Sequence, residues 1–237
     1  MAEFTSEIID IIPRTSNVKS FRMNPNKGLS YDPGQYMLVT IDVNGAEITK
    51  PLSFSSSPTE SDYIEFTKKL TDSSFSNVLD NMKTGDTVKI KMPLGRLIFK
   101  CDLDRTVFLS GGIGITPFRS MFKYATDMKC SSNIMLLYGN NTAADIIFKD
   151  DFDHMESENK NFKAVYTITK EDSSVGSWQG CRGNIDENMI KTSVPDYKDR
   201  IFFICGPPVM VDCMKEMLKD SLGISDECIK TEQFVGY

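Results

Sequence analysis

The chain has 237 residues, of which 40% are hydrophobic and 25% are charged, and this composition is typical of a soluble globular protein. The formal charge of −6 is uneven, because residues 1–100 carry 12 basic and 12 acidic side chains whereas residues 101–237 carry 15 and 21. An acidic second half argues against nucleic acid as a partner. No apolar run approaches the ~20 residues of a membrane helix, and the start MAEFTSEIID lacks a basic and apolar leader, so we expect a soluble, cytoplasmic protein.

The cysteines and the histidine limit the kinds of metal site. The cysteines are scattered, without a CxxC or ferredoxin-type cluster, and therefore predict a reducing compartment and no iron-sulfur or zinc site. The six are Cys101, Cys130, Cys181, Cys205, Cys213 and Cys228. The only histidine, His154, lies in a polar stretch that is more typical of a solvated loop than of a catalytic site.

The first hundred residues alternate short strands with turns. In QYMLVTIDV and TVKIKM every second residue is apolar, as in strands with one buried face. Asn-Gly, Pro-Gly and Thr-Gly-Asp sequences separate such stretches. About six strands predict a small antiparallel barrel, interrupted by one short helix, FSNVLDNM, with Ser73 or Ser74 as its N-cap.

From residue 101 onwards, strands alternate with helices. The pattern runs through RTVFLS and PFRSMFKYATDM, NIMLLYG and ADIIFKDDFDHM, FKAVYTIT, and RIFFICG and VMVDCMKEMLKD. This alternation predicts a parallel sheet with crossover helices. We therefore expect a domain boundary near residue 100, with one domain over 1–100 and a second over 101–237.

Two predicted strand ends in the second half have unusual residues. SGGIGITPFRS follows the first strand, with Thr116 as a predicted N-cap and Pro117 as the first helical residue, and such a helix start binds anions. The third glycine of GxGxxG is absent, so a simple tight turn is the alternative. Cys205 ends a strand that reads as buried on both faces, where a thiol is either a packing residue or part of a ligand site. Because both strands end at one edge of the sheet, a dinucleotide lying there would reach both.

An ordered series of motifs resembles the ferredoxin-NADP reductase superfamily over nearly the whole chain. The motifs are DPGQYM (32–37), KPLSFSS (50–56), FTKK (66–69), SSFSNVL (73–79), GGIGITPF (111–118), LLYG (136–139), CGPPVM (205–210) and TEQF (231–234). The resemblance implies an antiparallel Greek-key β-barrel that binds a flavin, followed by a Rossmann-like α/β domain that binds NAD(P).

The resemblance also implies roles for individual residues. Ser53 would contact flavin N5, Cys205 would lie beside nicotinamide C4, Glu232 would be the catalytic carboxylate near the C-terminus, and Phe234 would cover the flavin. The implied flavin contacts are Lys50, Pro51, Leu52, Ser53, Thr67, Lys68, Ser74, Phe75, Ser76 and Phe234. The implied nucleotide contacts are Gly112, Gly114, Ile115, Thr116, Pro117, Thr169, Lys170, Cys205, Gly206 and Pro207. No metal site is implied.

Three residues depart from the family pattern. Lys50 replaces an arginine that would grip the flavin phosphate at two points, Leu52 replaces a stacking tyrosine, and Ser73 replaces a glycine. These changes predict a flavin that is bound more loosely or packed differently. FAD is still favoured over FMN, because residues 74–76 offer a capped helix start to a pyrophosphate.

The nucleotide preference is less specified. Thr169 and Lys170 stand where NADPH-specific relatives have a serine and an arginine, which favours NADPH. Glu171 and Asp172 follow at once and would repel a 2′-phosphate, so NADH is the alternative.

The resemblance implies an NAD(P)H-dependent flavoprotein reductase that passes electrons to a separate ferredoxin, flavodoxin or oxygenase component. Lys68, Lys69, Lys89 and Lys91 are candidates to meet an acidic carrier, unless they are ordinary solvated strand residues. Two alternatives are a reductase of free flavin and an electron-transfer subunit of a larger complex.

Overall fold

The computed structural model describes residues 1–26, 28–170 and 178–234, which divide into two compact units. The first unit contains Met1–Phe99 and Thr116–Tyr124, and the second contains Lys100–Ile115 and the chain from Ala125 onwards. No described helix combines the length and the apolar character that a membrane span requires.

The first unit is a six-stranded antiparallel sheet that curls into a barrel. Its strands are β1 (Ala2–Thr15), β2 (Val18–Met23), β3 (Tyr36–Val43), β4 (Ala46–Ser53), β5 (Ile64–Lys69) and β6 (Thr87–Leu94), in the order β4-β3-β6-β1-β2-β5. β1 pairs first with β6 and then with β2, and its register shifts between Ile8 and Asp10. Phe54, just after β4, bridges to Phe66 of β5 and so joins the two edges of the sheet. The predicted antiparallel barrel is confirmed.

Alternating side chains build the barrel core. Met37, Val39, Ile41 and Val43 of β3 are all buried, as their shared face predicts. The short helix α1 (Ser74–Asn81) adds Phe75 and Leu79 to the same core, and the chain then continues into β6.

The second unit is a six-stranded parallel sheet with helices, as the strand and helix alternation predicts. Its strands are β7 (Arg105–Gly111), β8 (Asn133–Asn140), β9 (Phe162–Ile168), β10 (Cys181–Arg182), β11 (Ile201–Gly206) and β12 (Ile229–Gln233), in the order β10-β9-β8-β7-β11-β12. Its helices are α2 (Thr116–Asp127), α3 (Lys149–Glu158), α4 (Glu187–Ser193) and α5 (Pro208–Glu216), and α5 continues as a π-helical turn over Met217–Ser221. The first nine residues of α2 group with the first unit.

Three features of the second unit differ from the sequence expectation. α3 begins at Lys149 and not near Ala144, because a 3-10 turn capped by Thr142 and Asp145 comes first and Phe148 adopts a left-handed φ of +61°. The strands β10 and β12 and helix α4 are additions that the strand and helix pattern does not predict. Cys101 and Cys130 are joined in a disulfide, with Cα atoms 5.1 Å apart, which the scattered cysteine pattern does not suggest.

Candidate functional site

The carboxyl edge of the second sheet brings three predicted site residues together. Cys205 near the end of β11 lies directly opposite Glu232 of the neighbouring strand β12. The backbone N–H of Phe234 donates to the carbonyl of Gly206 at 2.9 Å, which extends the pairing beyond β12. The parallel register therefore places Cys205, Glu232 and Phe234 at one edge, although a helix and a loop separate them along the chain.

Burial controls the protonation of the two acidic groups at this edge. Burial, reinforced by the charge of Glu232, raises the pKa of the Cys205 thiol well above its usual range, so the sulfur stays protonated at neutral pH. Burial also raises the pKa of Glu232 to about 7. A neutral thiol is suited to packing against a flat apolar ring, whereas a carboxyl that titrates near pH 7 can exchange a proton at that pH.

The glycine-rich turn after β7 packs against the end of β11. A Cβ atom on Gly114 would stand 2.3 Å from the Cys205 carbonyl oxygen and 2.5 Å from the Cα of Gly206, so only glycine fits there. Gly112 turns the chain at a left-handed φ of +53°. Pro207, next to this contact, is exposed at the N-cap of α5. The two strand ends therefore form one continuous backbone edge.

The helix after this turn begins earlier than predicted. Gly112–Ile115 form a 3-10 helix that runs directly into α2, so Thr116 is the first α-helical residue and Pro117 the second. The predicted N-cap at Thr116 is therefore wrong, because the glycines let helical winding start four residues sooner. Ile115, Thr116 and Pro117 are buried, and the N–H groups that precede the first helical hydrogen bond belong to the glycine-rich turn.

Thr169 and Lys170 are exposed at the carboxyl end of β9. Their backbone N–H groups donate to the carbonyls of Asn140 (3.1 Å) and Asn141 (2.8 Å), at the carboxyl end of the neighbouring strand β8. Both residues therefore stand at the edge that carries the glycine-rich turn. The acidic pair at 171 and 172 lies outside the described residues.

Strand β4 carries four of the predicted flavin contacts. Lys50 and Pro51 are exposed, whereas Leu52 and Ser53 are buried, and Leu52 packs in the barrel core. Within the described chain the Ser53 hydroxyl has no hydrogen-bond partner, although Ser53 is only 6% exposed. The hydroxyl oxygen itself keeps some solvent access, because it is not one of the fully buried atoms that lack a partner, and it is therefore available to a bound ligand.

Thr67 and Lys68 are neighbours on β5, but their polar groups have different surroundings. The Thr67 hydroxyl shares hydrogen bonds with the hydroxyls of Ser20 (2.7 Å) and Ser55 (2.8 Å) inside the barrel. Lys68 is buried, and its burial together with the charge of Lys50 lowers the pKa of the ammonium group. A phosphate would relieve the repulsion between these two cations, so this pair of lysines fits the pyrophosphate of FAD.

Helix α1 starts with a hydroxyl cluster. Ser73 is the N-cap, as predicted, and its Oγ accepts from the Ser76 N–H at 3.2 Å. The Ser76 hydroxyl is within 3.2 Å of Thr71 and within 3.0 Å of Ser73, so it is used inside the cap. Phe75 is buried, and Ser74 alone of the predicted set 74–76 is exposed at the helix start.

The lysines considered for docking an acidic carrier are mostly engaged elsewhere. Lys89 forms an ion pair with Glu47, and Lys91 Nζ lies 4.0 Å from a Glu3 carboxylate oxygen. Lys68 is buried. The ion pairs of Lys89 and Lys91 argue that these two side chains belong to ordinary paired strand faces.

Sequence reasoning missed a buried ion pair in the first unit. Arg119 of α2 binds the carboxylate of Glu60 with two of its nitrogens, and it also donates to the Ser55 carbonyl at 3.0 Å. No local pattern could reveal this pair, because 59 residues separate its members. The only available signal was an arginine at a helix position that is otherwise apolar, in PFRSMF.

Two family profiles match consecutive parts of the chain. Residues 7–99 match the family described as Oxidoreductase FAD-binding domain, and residues 108–216 match the one described as Oxidoreductase NAD-binding domain. The two matches follow the order in which the barrel and the parallel sheet occur.

Individual relatives and solved structures agree with these matches. The chain is 28% identical over 218 residues to the glycine betaine monooxygenase reductase subunit of Chromohalobacter salexigens, covering 90% of this chain and 59% of the relative. It is 32% identical over 165 residues to a subunit of the Na(+)-translocating NADH-quinone reductase of Pseudoalteromonas atlantica, covering 68% and 40%. The chain thus spans about three fifths or less of the length of these relatives. The FAD/NAD-binding domain of a Vibrio cholerae nitric oxide dioxygenase shares the fold, with a TM-score of 0.86 and 21% identity over 97% and 98% of the two chains.

Proposed function

This chain belongs to the ferredoxin-NADP reductase superfamily of oxidoreductases, and we propose that it oxidises NAD(P)H with bound FAD and passes the electrons to a separate acceptor. We assign FAD binding to residues 1–100 and nicotinamide-nucleotide binding to residues 101–237. The observation that carries the proposal is the backbone contact of Gly114 with Cys205 and Gly206. That contact joins an anion-binding turn and a buried thiol at one sheet edge, where open α/β sheets bind nucleotides.

The first unit offers three kinds of flavin contact. When bound, FAD accepts a hydride at N5 and releases its electrons one at a time. The Ser53 hydroxyl would donate to N5, because it has no partner within the described chain and its oxygen keeps solvent access. Lys50 and Lys68 would hold the pyrophosphate together with the exposed start of α1 at Ser74.

The second unit would hold the nicotinamide nucleotide. The neutral Cys205 thiol would pack beside the nicotinamide ring, and the N–H groups of the glycine-rich turn would bind the nucleotide phosphates. Glu232, with a pKa of about 7, would be able to take up or release the proton that accompanies the redox change. By the family resemblance, Phe234 would be the aromatic residue that covers a bound flavin.

We further propose that NADPH is the preferred donor. The exposed hydroxyl and cation of Thr169 and Lys170 stand at the sheet edge that would carry the nucleotide, and they suit a 2′-phosphate. A lower KM for NADPH than for NADH is the expected result.

The electron acceptor is proposed to be a separate protein or subunit. The named relatives are a monooxygenase reductase subunit and a subunit of a quinone reductase, and both are longer than this chain. We propose a cytoplasmic location because the donor is a reduced nicotinamide nucleotide, although the Cys101–Cys130 disulfide is of a kind that is rare there.

The deciding experiment is the visible absorption spectrum of the purified chain, before and after anaerobic addition of NADPH or NADH. We expect a flavin spectrum that survives gel filtration and bleaches faster with NADPH. A chain that neither carries nor binds a flavin would overturn the proposal.

One observation favours a second function. Leu52 lies in the barrel core and offers no aromatic face to a flavin, so the flavin would be a substrate that is released after reduction. A colourless chain that oxidises NAD(P)H only when free flavin is added would establish this activity.

A further inference from the structure

Ser53 is followed by a rigid segment of four residues, 54–57. All four backbone N–H groups donate hydrogen bonds, at 2.7 to 3.4 Å, and the carbonyls of Ser55 and Ser56 each accept one from a side chain, at 3.0 Å. The partners are Gln35, Glu65, Glu60, Arg119 and Tyr31. Ser55, Ser56 and Ser57 are completely buried. The Ser53 hydroxyl, immediately before this segment, has no hydrogen-bond partner within the described chain.

One side of the segment is fixed by the ion pair of Arg119 and Glu60. Arg119 is 5% exposed, and its Nη2 donates to Glu60 Oε1 at 3.1 Å while its Nη1 contacts Glu60 Oε2 and the Ser55 carbonyl. Glu60 also accepts from the Ser57 N–H at 2.7 Å and from the Tyr63 hydroxyl at 2.6 Å. Burial raises the pKa of Glu60, but the hydrogen bond and charge of Arg119 outweigh it, so the carboxyl stays ionised. The pair therefore grips the segment at Ser55 and at Ser57.

The other side of the segment is fixed by a second buried carboxylate. Glu65 is fully buried, accepts from the Ser55 hydroxyl at 2.7 Å, and is paired with Arg22 (3.0 Å) and Arg14 (3.3 Å). The side chain of Ser55 is thus held by Glu65, whereas its carbonyl is held by Arg119. Loss of Arg119 would free one side only, so the barrel would remain closed while the peptide after Ser53 gained freedom to rotate.

We propose that Arg119 is a positioning residue that, together with Glu60, aims the Ser53 hydroxyl at the flavin. This inference rests on the proposed function, in which Ser53 meets flavin N5. Arg119 does not touch the flavin itself. It fixes the Ser55 carbonyl, which fixes the backbone two residues after Ser53. Because a misplacement of about 1 Å can cost about 10²-fold in rate, a loose segment would slow hydride transfer without changing nucleotide binding.

The test uses three variants of the full chain loaded with FAD. The first is Arg119→Met with Glu60→Gln, which removes the charges together, because an unpaired buried charge would destabilise the fold. The second is Arg119→Lys, which keeps the cation but loses the bidentate geometry, and it serves if the double variant does not fold. The control is Arg200→Met with Asp196→Asn in the second unit. Arg200 is also buried and likewise binds a carboxylate (2.8 Å) and a carbonyl (3.2 Å).

Four quantities are measured: the rate of flavin bleaching by NADPH in a stopped-flow instrument, the Kd of FAD, the Kd of NADP+ and the urea unfolding midpoint. For Arg119→Met/Glu60→Gln we expect a bleaching rate lowered by about 10 to 100-fold, an altered visible band or Kd of bound FAD, and an unchanged Kd of NADP+. Arg119→Lys should lie between this variant and the wild type. The Arg200 control should lose stability while its bleaching rate and flavin band stay the same. Equal effects in the Arg119 variant and the Arg200 control would overturn the proposal.

Combination with Ser53→Ala separates positioning from a general effect on the barrel. If Arg119 acts through Ser53, the Arg119→Met/Glu60→Gln change should lower the bleaching rate no further in a Ser53→Ala background. Additive losses would show that Arg119 acts by another route and would overturn the inference while leaving the proposed function intact. A wild-type chain that binds no flavin would instead overturn the proposed function.

Discussion

The structure raises the pKa of the Glu232 carboxyl enough for the change to be measured. Burial raises the pKa of its carboxyl from an ordinary 4.5 to about 7, so the folded chain binds this proton more tightly than the unfolded chain. The stabilising effect of the neutral carboxyl is complete below pH 4.5 and is lost as the pH rises to about 7. Glu232→Gln removes the group that must ionise. We therefore expect the variant to gain up to about 3 kcal/mol relative to the wild type between about pH 4 and about pH 8, in urea unfolding followed across that range. A difference that does not change with pH would contradict the raised pKa of this half-buried carboxyl.

Gly114 is the residue at which the sheet edge allows no side chain. Gly114→Ala would push a methyl group against the Cys205 carbonyl and the Gly206 Cα, which are backbone atoms and cannot rotate away. We expect a loss of about 1 to 3 kcal/mol in stability and a several-fold higher Kd for NADP+, measured by urea unfolding and by titration calorimetry. Gly223→Ala is the matched control, because Gly223 also lies in the second unit and has open space at its Cβ position, with strain only from its φ of +69°. Equal nucleotide affinity in the wild type and Gly114→Ala would show that this edge does not bind the nucleotide.

At the scale of an element, the start of α1 tests whether a serine can replace the glycine of the family motif. Ser73 caps the helix with its side chain and has a φ of −70°, so its conformation does not require glycine. We expect Ser73→Ala to lose about 1 kcal/mol and Ser73→Gly only a few tenths, in urea unfolding. The FAD affinity of Ser73→Gly should equal or exceed that of the wild type, because glycine allows a closer approach of a phosphate. A weaker affinity in Ser73→Gly would show that the serine hydroxyl itself takes part in binding.

The elements also show which part of the fold is predictable from the sequence. Strands β3, β6 and β11 have strong apolar patterns that predict them, whereas the two-residue β10 is too short to show any period. β12 (IKTEQ) has a single buried residue, Ile229, so its pairing depends on β11 and not on its own pattern. The predicted early start of α3 is wrong for a different reason, since Ile146, Ile147 and Phe148 are buried without being helical.

The candidate site likewise contains parts that the sequence predicts and parts that it does not. Cys205 and the glycine-rich turn can be inferred from local sequence, because both end apolar strands and the ends of parallel strands meet. The register that sets Cys205 opposite Glu232, and the Arg119–Glu60 pair, join residues that only the tertiary fold brings together. No pattern within a short window contains that information.

At the scale of the whole molecule, the order of the two units follows from the order of the motifs, whereas the covalent state of the cysteines does not. Cys101 and Cys130 lie 29 residues apart and enclose β7, the glycine-rich turn and α2 in one loop. Closing a loop of this length stabilises a fold by roughly 3 kcal/mol, because it restricts the unfolded chain.

A thiol titration tests this disulfide and, with it, the expectation of a reducing compartment. In denaturant without reductant we expect four reactive thiols, those of Cys181, Cys205, Cys213 and Cys228. Reductant should raise the number to six and lower the free energy of unfolding by roughly 3 kcal/mol. A variant with Cys101→Ser and Cys130→Ser should have the lower stability from the start and should not respond to reductant. Six reactive thiols in the protein purified without reductant would instead mean that the bond does not form in the cell, and a cytoplasmic location would then agree with all six cysteines.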